Sequence, residues 1–189
     1  MGPEQHSLRQ LFHDVVSECY DSRLGLHDAE ISTYVADLLT EFCRAENIYR
    51  IRDVYGNPVR EVGEMLVAAD PIHGTASSFD AEREIRKHIG DYTLFFTGMY
   101  PDSMHLWRHR HGESFFEMVQ AGKESYYIVS QFDLFEYALE APFFGRLSSS
   151  FEDCIYGLNL VRGELDRLKA IAPPGSGDVS TTGPQKHLM

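Results

Sequence analysis

A chain of 189 residues is long enough for one domain with a sizeable core and short for two. Its apolar share of 43% and aromatic share of 12% are those of a folded protein, while 29 acidic residues against 17 basic ones give a net charge of −12 that repels nucleic-acid backbones and anionic lipid surfaces. Three cysteines (Cys19, Cys43, Cys154) form no C-x-x-C pair, "MGPEQHSLRQLF" is no export signal and no run of about 18 apolar residues occurs, so we expect a cytoplasmic protein with neither a membrane nor a nucleic-acid partner.

Leu8, Phe12, Val15 and Cys19 step by 4, 3 and 4, one face of a helix. Ser7 and Gln10 in "SLRQ" read as a capping box at its start, so the helix is expected over about 7 to 22, with Gly25 ending it. Asp28 is placed to cap a second helix, whose Ile31, Val35, Leu38 and Phe42 repeat the rhythm. The two should form a hairpin. Residues 47–70 are less regular: "IYRIRDVYGNPV" alternates around a turn signal, suggesting a short hairpin, and "VREVGEMLVAAD" suggests a short helix ended by Pro71.

"PIHGTASS" leads into a long third helix over about 79–99. After "YPDS" the segment "MHLWRHRHGE" is ambiguous, and Ser114 with Glu117 forms a second capping box for a fourth helix running to about Phe132. Leu147, Phe151, Cys154, Leu158, Val161, Leu165 and Leu168 then alternate steps of 4 and 3, a continuous seam on one fifth helix, with Ser149 and Glu152 as a third box. Such a seam serves as core or pairs two copies, so a homodimer through the 147–168 helix is one expected partnership. Residues 172–189, rich in Pro, Gly, Ser and Thr, have the composition of a disordered tail. The sequence therefore predicts an all-α bundle of about five main helices over residues 1–171, with an irregular or hairpin excursion at 47–70.

On the third helix Ile85, Ile89, Tyr92 and Phe96 share a face, and Glu84, His88 and Asp91 form a neighbouring polar stripe that enters the core from its edge. One imidazole between two carboxylates can serve a metal or acid/base chemistry; equally, His88 can be a structural residue satisfied by Glu84 or Asp91. The chain contains no Glu-x-x-His, and His105 and His109, though four apart, lack the glutamate of a zincin motif, so no metal is expected. On the fourth helix Lys123 shares a face with Phe116, Val119, Tyr126 and Tyr127. It is either an inward ammonium that anchors an acidic ligand or a lysine snorkelling over aromatic surface. "HGTASS" precedes a helix N-terminus, where anions can bind, but lacks the Gly-Lys-Ser/Thr of a P-loop and reads as a cap. Gly90, Gly98, Gly157 and Gly163 inside helices imply close approach of a neighbouring helix or a ligand.

Two functional readings follow. The first is a non-catalytic bundle that binds a partner, or a small apolar or acidic ligand, between its helices, lined by Glu84, His88, Asp91, Lys123 and Tyr126. The second is an enzyme or sensor with a single metal or acid/base site around Glu84, His88 and Asp91.

Overall fold

In the computed structural model, residues 3–103, 112 and 114–171 are described, and the fold they form is all-α. The "HLWRHRH" stretch and the tail at 172–189, with what the sequence suggests for each, lie outside the described residues.

Helix α1 spans Pro3–Ser17. It starts a full turn before Ser7, because a proline is well placed in a first turn where its missing N–H has no partner to lose. Ser7 is thus helix interior, and Gln10 donates to Asp14 (2.9 Å) rather than closing a capping box. The chain continues through Glu18–Leu24 wound as a π-helix and stops at Gly25, whose φ of 75° is the left-handed conformation glycine adopts at least cost. Helix α2, Ala29–Phe42, is capped by Asp28, which accepts from the amides of Glu30 (3.1 Å) and Ile31 (3.2 Å). It packs along α1 as the hairpin reading required, with Arg9 bridging to Asp37 at 2.8 Å.

One turn, α3 (Ala45–Ile48), precedes the excursion, whose only pairing is a bridge between Arg52 and Pro58 around a turn at Gly56. The Asp53 carboxylate accepts the amides of Tyr55 and Asn57, both at 2.8 Å, and holds that turn in place of a ladder. Helix α4, Val62–Ala68, follows. Helix α5, Phe79–Met99, is capped by Ser78 and is buried continuously from His88 to Phe95, as a central helix must be. Helix α6, Phe115–Ser130, opens with the Ser114–Glu117 capping box. A short 3₁₀ segment, Phe135–Leu139, leads to α7 (Ala141–Ser149) and α8 (Phe151–Ile171).

The single fifth helix read from the seam is therefore two helices, broken at Ser150. Three consecutive serines explain the break: Ser149 Oγ donates back to the Gly145 carbonyl (2.9 Å) and Ser148 Oγ to that of Lys123 (2.9 Å), the kind of hydroxyl competition that bends helices. Ser149 is not a cap, and Glu152 pairs with Lys123 instead. The seam crosses the break undisturbed, since Leu147, Phe151, Cys154, Leu158 and Val161 are all fully buried against α1, α5 and α6.

α5 divides the interior. On one side lies the main core of α1, α2, α6, α7 and α8; on the other Ile89, Tyr92, Met118 and Ala121 meet Ile51, Val59, Val62 and Met65 from the excursion and α4. Among the described residues, no helix is long and apolar enough to cross a membrane.

Candidate functional site

The polar stripe of α5 does not act as one unit. Asp91 is 2% exposed and receives three donors: Tyr34 of α2 (2.5 Å) and Tyr126 of α6 (2.7 Å) on Oδ1, and Lys87 on Oδ2 (3.0 Å). Lys87 also lies over the Tyr34 ring, 5.2 Å from its centroid. His88, one turn earlier, is satisfied by neither Glu84 nor Asp91; its Nε2–H donates to the Ile48 carbonyl at 3.1 Å. Glu84 stays at the surface, paired with Arg83 (3.0 Å). Lys123, read as an inward ammonium, is a surface cation held by Glu152 at 2.7 and 3.0 Å. Phe116 and Tyr127 beside it face solvent, because the α6 face that enters the bundle runs through Met118, Gly122, Ser125 and Val129. The structure thus joins Asp91 to Tyr126, sets His88 nearby and leaves Glu84 and Lys123 outside. The lysine that enters the hub is Lys87, half-buried, whose i to i+4 spacing from Asp91 is its only mark in the sequence.

Electrostatics lock this hub. Burial, reinforced by the Asp91 carboxylate, raises Tyr34 and Tyr126 far above the usual phenol range. Burial alone pulls Lys87 down, but Asp91 outweighs it and the ammonium's affinity for its proton rises. The carboxylate is engaged by two phenols and an ammonium drawn from three helices, and those bonds tie α2, α5 and α6 together. Cys154 is poorly placed as a nucleophile, since burial pushes its thiol up to about 12. No three His, Cys, Asp or Glu side chains converge to hold a metal among the described residues.

Concave apolar surface lies elsewhere, at the N-terminal end of α5. Phe79, the first residue of α5, is 78% exposed, and its ring meets Phe132 edge-on at 6.5 Å between centroids. Together with Ile128 from the end of α6 and Leu134 and Tyr137 from the loop and 3₁₀ segment beyond it, they line a groove of about 510 Å³. Its wall is braced from behind by Arg83, 3% exposed, whose guanidinium stacks 4.0 Å from the Tyr137 ring centroid and bonds Glu140 at 2.5 Å. Tyr137 donates to Asp80 (3.0 Å), and Asp80 with Glu82 places two carboxylates at the groove. Sequence reading missed this surface because its walls come from segments some fifty residues apart; the only local signal was aromatic residues at helix and loop ends, outside any apolar period.

Neither a known family model, nor a curated protein, nor a solved structure matches this chain.

Proposed function

We propose that this is a non-catalytic binding protein that receives a basic amphipathic segment of a partner protein in the groove between the start of α5 and the end of α6. The observation that carries the reading is the groove itself: an apolar floor of Phe79, Ile128, Phe132 and Leu134, edged by Asp80 and Glu82. Its volume suits a few anchoring side chains. Leu134 in its floor is 68% exposed and Leu139, at the end of the adjoining 3₁₀ segment, 91% exposed, more exposed apolar side chain than a small ligand would cover. Carboxylates at the rim of a chain with net charge −12 favour a cationic partner and disfavour an acidic one here. A second copy docked through 147–168 is not the partner proposed, because that seam is buried within the chain from Leu147 to Val161. An acid/base site at Glu84, His88 and Asp91 is not favoured either, since the three side chains turn to different partners.

Anisotropy titration of a labelled Leu/Lys amphipathic helix tests this. Binding at roughly micromolar Kd is expected, weakened about tenfold or more by Phe132→Asp. That variant adds negative charge, so unspecific attraction would strengthen rather than weaken it. Unchanged binding by Phe132→Asp, or equal binding of a scrambled peptide of the same charge, would contradict the proposal.

A further inference from the structure

The partner groove is more than an apolar trough. Three aromatic rings line it: Phe79 from the first turn of α5, Phe132 from just beyond the end of α6, and Tyr137 from the 3₁₀ segment. Phe79 and Phe132 meet at 71° with centroids 6.5 Å apart, so the two rings form a corner rather than a stack. Tyr137 is held as a further wall, its hydroxyl donating to Asp80 (3.0 Å) and its ring backed by the Arg83 guanidinium at 4.0 Å.

The charge beside these rings has one sign. No lysine, arginine or histidine lines the groove among the described residues, whereas Asp80 and Glu82 do. Arg83, behind Tyr137, has its charge answered by Glu84 (3.0 Å) and Glu140 (2.5 Å), which leaves the two rim carboxylates to set the sign of the site. Asp80 spends one oxygen on Tyr137, and the Glu82 side chain has neither an ion pair nor a hydrogen bond among the described residues.

Rings set at an angle to one another, with carboxylates at their edge, suit a cation that is itself apolar on its surface. A leucine or methionine side chain would use the floor but desolvate Glu82 with nothing to pair it. A plain lysine ammonium brings three N–H donors, which the rim can answer and the rings and aliphatic floor cannot. A trimethylammonium group keeps the charge, carries no N–H and presents only methyl groups to the walls. We infer that the groove is an aromatic cage for a quaternary ammonium, and that its occupant is a trimethylated lysine carried by the basic segment of the partner protein. This rests on the reading of the groove as that segment's docking site, and adds the identity of the anchoring residue.

Anisotropy titration of the full chain with two forms of the labelled Leu/Lys helix, one trimethylated at its central lysine, tests it. The trimethylated form is expected to bind about tenfold more tightly. Phe79→Leu, which keeps an apolar side chain at a position 78% exposed, where the fold is not at stake, should bring that ratio below about threefold. Choline and its uncharged carbon isostere 3,3-dimethylbutan-1-ol separate charge from apolar bulk without any peptide. Choline at millimolar concentration should shift the amides of residues 79–82 and 128–137 in isotope-labelled protein, and the alcohol should shift them far less. A trimethylated peptide within about twofold of the unmodified one, or a ratio unchanged by Phe79→Leu, would overturn the cage and leave the docking site standing. Equal shifts from choline and the alcohol would overturn it too. If neither peptide binds, the docking reading fails; choline shifts would then make the ligand a free quaternary ammonium and overturn trimethyllysine as the occupant, and their absence up to about 50 mM would overturn the cage itself.

Discussion

Asp91 shows how one buried charge organises three helices. Its carboxylate is the common acceptor of Tyr34, Tyr126 and Lys87. Asp91→Asn keeps the shape but leaves the Lys87 ammonium without its counter-charge, so a loss on the order of 3 kcal/mol is expected in urea unfolding. A change below about 0.5 kcal/mol would mean that Lys87 simply swings to solvent. His88 makes a separate prediction through pH. Its folded-state pKa of about 4 lies below the ordinary 6.5, so as pH falls the unfolded chain takes up the proton first. Stability from this residue is complete above pH 6.5 and falls by roughly 3 kcal/mol by pH 4. Glu164, held down to about 2 by hydrogen bonds from Arg167 and Arg23, gives up its contribution only at lower pH. Denaturant melts of the parent and His88→Gln at pH 7 and near pH 4.5 should therefore differ in slope, the variant losing less. Parallel curves would show that the ring is hydrated.

At the scale of elements, small residues decide how closely the helices approach. A Cβ on Gly98 would fall 2.6 Å from Leu158, one on Gly90 would enter the Tyr126 ring, and one on Gly157 the Tyr20 ring. Of the two explanations the sequence left open, a neighbouring helix or a ligand, these three contacts are with neighbouring helices. Gly163 does not: it is exposed with open space around it, whereas Gly122, overlooked in the sequence, would drive a Cβ into Thr93 and Phe151. Gly163→Ala should then stabilise by up to about 1 kcal/mol through helix propensity, and Gly122→Ala should destabilise by about 1 to 3 kcal/mol through overpacking. Melting curves of the two variants shifting in the same direction would contradict this. The caps were legible because Asp28 and Ser114 sit immediately before apolar periods, and period and cap agree there. The break at Ser150 was not legible, since the steps from Leu147 to Phe151 to Cys154 keep a helical rhythm across it and Ser148 finds its acceptor, the Lys123 carbonyl, only once α6 is in place.

For the molecule as a whole, apolar periodicity was enough to read an all-α bundle with α5 at its centre, because burial on both sides leaves a signature along one helix. The sites were less legible. Grouping Glu84, His88 and Asp91 on one stripe was right as geometry of a helix, but the partners of His88 and Asp91 include Ile48, Tyr34 and Tyr126, which no local spacing announces. The partner groove is a still more distant construction, closed only when the loop after α6 folds back onto the first turn of α5. Its use is most directly tested by mapping amide chemical shifts in isotope-labelled protein as the basic amphipathic peptide is added. Perturbations concentrated at residues 79–82 and 128–137 are expected, with the hub around Asp91 unmoved. Shifts scattered over the acidic surface, or centred on any other face, would contradict the proposal that this groove is the binding site.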